Sequence, residues 1–123
     1  MAALALLAIC AVFGVFFLTM FNLGQESAAR DSMAEKALQA ARAGADYGAY
    51  QSLINGTCAP STLSLPGLSD FTVALACSRT SVVEAGTTIK IDSWTSTACS
   101  SAACPGTPSG SYVERQVKID IAM

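Results

Sequence analysis

Residues 25–54 read QESAARDSMAEKALQAARAGADYGAYQSLI, and how this stretch folds decides the rest. It is dense in Ala, Glu, Lys, Arg, Gln and Leu, all strong helix formers. Glu26 and Arg30, and again Arg42 and Asp46, are opposite charges four residues apart, which sets them on neighbouring helical turns. Met33, Ala37, Ala40, Ala41, Gly44 and Tyr47 recur at steps of three and four, an apolar stripe of mostly small side chains. Such a stripe predicts close approach by a second element, most naturally a sheet. Ala41, Gly44, Ala45 and Gly48 are the expected helix-to-sheet packing positions, with Tyr47 and Tyr50 in the same contact. Asn55-Gly56 ends the helix, glycine being the usual residue where a helix must turn left-handed.

Towards the N-terminus the helix-forming pattern does not stop. No proline occurs from Met1 to Ile54, so the simplest expectation is one helix of about 53 residues, roughly 80 Å at 1.5 Å per residue. A domain of the remaining size cannot house it, so its first half is expected to project. Residues 1–25, MAALALLAICAVFGVFFLTMFNLGQ, carry no side-chain charge, and the run is long enough to cross a bilayer of ~30 Å. A helix that is apolar all round is buried either by lipid or by other copies of itself. Leu7, Phe13, Phe16, Phe17, Leu18 and Phe21 are the expected packing groups, and Cys10 reads as a small buried hydrophobe. Gly14, Asn22 and Gly24 are weak helix formers, each costing up to ~1 kcal/mol relative to Ala, so the helix should loosen first there. Nothing basic precedes the apolar run, unlike a secretory signal, so it reads as an anchor or as a segment whose charged leader has been removed.

After the helix the pattern changes to short strands. APSTLSLPGLSD carries two prolines and a glycine and reads as a loop. In FTVALAC, residues Phe71, Val73, Leu75 and Cys77 alternate onto one face. TSVVE, the Ala85-Gly86 turn signal and TTIKIDSWT complete a hairpin over 71–96. SSAACPGTPSG is a second loop. SYVERQVKIDIAM then sets Val113, Val117, Ile119 and Ile121 against Glu114, Lys118 and Asp120, a half-buried antiparallel strand. The expected class is α+β: a long N-terminal helix packed by its C-terminal half on a small antiparallel sheet of three or four strands. Its parts are an apolar segment (1–24), an amphipathic continuation (25–54) and a disulfide-bearing β domain (55–123).

Charge and cysteine content narrow the chemistry. Seven Lys and Arg against nine Asp and Glu are too balanced and scattered to argue for nucleic acid. The chain has no His, which removes the commonest general base, the Ser-His and Cys-His nucleophile pairs and most zinc sites. No catalytic residue, metal ligand or cofactor is expected. Cys58, Cys77, Cys99 and Cys104 suggest two disulfides and an oxidising, extracytoplasmic compartment. Of three pairings, sequence spacing favours Cys58–Cys77 with Cys99–Cys104. A four-thiolate metal site is the rival, but paired C-x-x-C knuckles are absent. Asn55-Gly56-Thr57 fits a glycosylation triplet, of a kind that arises often by chance.

The apolar helix, its amphipathic continuation and the small disulfide-bearing sheet together resemble the type IV pilin superfamily. EKALQAARAGADYGAYQSL, followed by the Cys58 and Cys77 spacing, is similar to the MSHA-pilus biogenesis protein P group of pilin-like proteins. The resemblance implies a short basic leader removed by prepilin peptidase, with Met1 as the mature, N-methylated residue. It implies storage in the bacterial inner membrane, extraction by the pilus assembly machinery, and an extracellular filament of this subunit or other pilins that serves attachment. Gly14 matches the family's melting-region glycine. Two positions depart from the pattern: Ala5 stands where most major pilins have Glu, and no proline lies near Asn22. Ala5 points towards a minor or tip pilin, and a type II secretion pseudopilin is a close relative. A membrane-anchored binding module, with the sheet as receptor or adhesin, is the alternative of another class.

Overall fold

The computed structural model describes residues 2–107 and 109–123, with side chains described for all of these except 2–8, 22–24 and 26. Helix α1 spans Ala2–Leu53, and four strands follow: β1 (Ser61–Ser64), β2 (Thr72–Glu84), β3 (Thr87–Cys99) and β4 (Glu114–Ala122). The chain forms two units, 1–32 and 33–123. The boundary lies inside the helix, so the later turns of α1 are in one unit with the sheet.

In the first unit the chain is helical from Ala2 onward and unbroken through Gly14. Met1 is outside the described residues. Leu7, Asn22 and Gly24 lie where side chains are not described, so the packing and loosening expected of them fall outside what can be placed.

In the second unit the four strands form one antiparallel sheet in the order β1-β2-β3-β4. β2 and β3 pair without a break from Thr72↔Cys99 to Glu84↔Thr87. Ala85 and Gly86 join them with φ of 48° and 83°, the pair of left-handed residues that a tight hairpin turn needs. TVALAC and TSVVE are thus two parts of one strand, with Phe71 just before it. The loop expected over APSTLSLPGLSD is corrected by β1, which pairs Ser61↔Leu75 to Ser64↔Thr72. Four residues of strand in a stretch bounded by Pro60 and Pro66 leave too short an alternation to be read from sequence, yet they suffice to extend the sheet by one edge.

The core lies where α1 crosses this sheet. Ala37, Ala40, Ala41, Phe71, Val73 and Ala98 are buried together, with Leu63, Leu65, Leu68, Val113 and Val117 packed around them. Burying Phe71, Val73 and Leu75 stabilises the unit by about 1.5–3 kcal/mol each. The helix contributes small residues, so its backbone comes close. A Cβ added at Gly44 would lie 2.6 Å from Val73 Cγ1 and press on Ser96 Oγ, and one at Gly48 would lie 2.8 Å from Trp94 Cδ2. Met33, Tyr47 and Tyr50 are exposed, which corrects their placement in the packed stripe. The buried face instead runs through Ala37, Ala40, Ala41, Gly44, Ala45, Gly48 and Ser52. Only side chains of Ala or Ser size, or none, fit under the helix there.

Candidate functional site

Two features stand out from the residues upward: an apolar helical surface without cover in the first unit, and a buried polar junction in the second.

Every side chain from Ile9 to Phe21 is exposed. Phe13, Phe17 and Phe21 leave 59%, 63% and 70% of their surface open, and Phe16 meets Phe17 edge-on with ring centres 6.4 Å apart. Cys10, expected to be buried, is exposed with them and carries a free thiol. Water is a poor solvent for such a surface, and monomeric proteins rarely leave large continuous apolar patches uncovered. Thr19 does not break its apolar character, because its hydroxyl donates back to the Phe16 carbonyl at 2.8 Å. Phe17, Met20, Phe21, Gln25 and Ala28 line a shallow groove of about 480 Å³ on the same helix. Among the described residues no helix is long and apolar enough to cross a membrane. Of the apolar run, the described side chains are those of 9–21 and Gln25.

The polar junction fixes the end of α1 to the sheet. Ser52, on the last turn, donates to Asp92 Oδ2 at 2.7 Å and accepts from Trp94 Nε1 at 2.7 Å. Arg79 grips the same carboxylate with Nε to Oδ1 and Nη2 to Oδ2, both at 2.6 Å. Its Nη1 reaches the Gly56 carbonyl at 3.1 Å. Asp92 is fully buried whereas the Arg79 side chain keeps 30% exposure. The Arg79 hydrogen bond, opposed by burial and helped by Ser52, holds the Asp92 carboxyl below its ordinary pKa. The same bond raises Arg79, with burial working against it. Asp92, Trp94, Ser96 and Ala98 all point inward because alternate residues of β3 share a face.

Cys58–Cys77 and Cys99–Cys104 are disulfides. The first ties the chain just past α1 to β2, and the second closes the loop after β3. Near that loop the Tyr112 hydroxyl accepts from Gly106 N–H at 2.8 Å and donates to Glu114, whose carboxylate raises the tyrosine pKa. Cys58, Cys77 and Asp92 have sulfur and oxygen atoms within 4.8 Å of one another. They do not suit a metal, since the two sulfurs are bonded together and the carboxylate is already held by Arg79 and Ser52.

The chain matches no protein-family model, no curated protein and no solved structure.

Phe13, Phe16, Phe17 and Phe21 share one uncovered stretch of helix, while Ala41, Gly44, Ala45 and Gly48 are under the sheet. The Arg79–Asp92–Ser52–Trp94 junction is not foreseeable from motif or spacing. Its one sequence signal is an aspartate next to apolar residues in a strand, which is equally the sign of a solvated face.

Proposed function

We propose that this chain is a structural subunit of an extracellular type IV pilus-like filament, assembled through its apolar helix and serving surface attachment. The observation that carries the reading is the uninterrupted exposure of Ile9–Phe21 on a helix whose later turns bear a disulfide-stapled sheet. One surface then serves two solvents: lipid of the bacterial inner membrane before assembly, and neighbouring copies afterwards. The resemblance of residues 35–53 and the first cysteine pair to pilin-like proteins supports the same assignment. The partners are copies of this chain or other pilins, with the inner-membrane assembly machinery delivering them.

Phe17→Asp puts a carboxylate into the surface that copies would share, and an unpaired charge there is strongly disfavoured. The expected outcome is loss of filaments in electron micrographs of sheared surface material, with the folded β domain unchanged by circular dichroism. Wild-type filament yield from Phe17→Asp would contradict the assignment. Monomers at the cell surface with no filaments in the wild type would favour an anchored binding module instead.

A further inference from the structure

The segment where α1 stops carries the one Asn-Gly pair of the chain. Both residues are exposed, and Gly56 holds a left-handed φ of 64°. The bonds that close the helix run from Ile54 N–H to Tyr50 and from Thr57 N–H to Gln51, and Gly56 N–H takes part in neither. Apart from its chain neighbours, nothing lies within 4 Å of where a Gly56 side chain would begin. The Asn55 amide donates to Gln51 Oε1 at 2.8 Å, on the solvent side. We propose that Asn55 is a deamidation site of the folded protein, attacked by the backbone nitrogen of Gly56 to give aspartate and isoaspartate.

The chemistry needs only water and base. Hydroxide removes the Gly56 N–H proton, and the nitrogen attacks Asn55 Cγ. The N–Cγ bond forms, the Cγ–Nδ2 bond breaks, and ammonia leaves with a proton from water. A cyclic imide remains, and one water opens it at either carbonyl, giving aspartate or isoaspartate. No electron is transferred; one water is consumed for each ammonia released. Glycine favours the step because it has no side chain to obstruct the approach and tolerates the backbone turns that ring closure requires. Asn22, the other asparagine, lies inside α1 and is followed by Leu23, so its neighbour's nitrogen is held in the helix.

The product alters the end of the helix. Aspartate at position 55 loses the donor to Gln51 and sets a negative charge at the helix C-terminus, where the dipole disfavours it. Isoaspartate adds a methylene to the main chain between α1 and Cys58, next to the Gly56 carbonyl that Arg79 holds. The conversion is therefore expected to lower the melting temperature of the β domain.

The test incubates the intact, oxidised protein in neutral and in mildly alkaline buffer, followed by intact mass, peptide mapping and isoaspartate detection. The expected result is one amide-to-acid step located at Asn55, faster in alkali, containing isoaspartate and absent from Asn55→Gln. The proposal is overturned if Asn55 stays an amide in the folded protein while the reduced, denatured chain converts under the same conditions. Acid gain located elsewhere overturns it too, as does a glycan found on Asn55, which the Asn55-Gly56-Thr57 triplet could accept and which would block the step.

Discussion

Asp92 is the residue whose removal should be felt most widely, because Arg79, Ser52 and, through Ser52, Trp94 depend on it. Asp92→Ala leaves the Arg79 guanidinium without its carboxylate and the Ser52 hydroxyl without its acceptor, and is expected to lower stability, though less than removing the partner of a fully buried charge because Arg79 is partly hydrated. Chemical denaturation of the oxidised protein measures it. The same pair has a pH signature. Folding lowers the Asp92 pKa, so its contribution is fully present above the unfolded value of about 3.9 and is lost as pH falls through the folded value. The stability gap between wild type and Asp92→Asn should thus be level near neutrality and shrink in acid; a level gap throughout would contradict the pairing. Gly44→Ala tests the close approach of α1. Its Cβ would press on Ser96 Oγ and Val73, so a loss of about 1–3 kcal/mol is expected, with partial recovery when Ser96→Gly is added. Gly44 was legible in sequence because a small residue at helical spacing has few other uses. Asp92 was not, because alternation in TTIKIDSWT draws the eye to Ile89 and Ile91, which share the opposite face of β3 from Asp92 and Trp94.

At the scale of elements, α1, the β2–β3 hairpin and β4 were all readable, since each follows a long periodic pattern or a turn with a required glycine. β1 was hidden between Pro60 and Pro66, where composition speaks for a loop and only pairing with β2 makes a strand. The exposed Tyr47 and Tyr50 mark the limit of helical periodicity: spacing gives a stripe, but which edge of it lies under the sheet depends on strand positions that a helix sequence does not encode. The disulfides follow the spacing expected of them and predict unequal costs. Replacing Cys58 and Cys77 together by Ser opens a link of sequence separation 19 and is expected to cost about 3 kcal/mol. The corresponding change at Cys99 and Cys104, at sequence separation 5, is expected to cost about 2 kcal/mol and to loosen the segment 100–110. Denaturant melts of the two double variants decide the order; equal losses would contradict the ranking by loop length.

For the whole molecule, the second unit has a buried core of its own whereas the described apolar side chains of Ile9–Phe21 in the first are exposed. Alanines and glycines of α1 meet the sheet, its last turn is fixed by Arg79, Asp92 and Ser52, and two disulfides close the loops. Ile9–Phe21 have no such cover, and if copies of the chain supply it, Cys10 becomes buried with them. Cys10 is the free cysteine among five, exposed in the single chain and set within the stretch that assembly would bury. The deciding measurement is the labelling rate of Cys10 by a small maleimide, compared between unfolded chain, detergent-dispersed subunit and sheared surface filaments. Strong protection in the filaments, with ready labelling once they are dispersed, is the predicted result. Filaments of this chain whose Cys10 labels as fast as in the dispersed subunit would contradict burial of the apolar helix between copies.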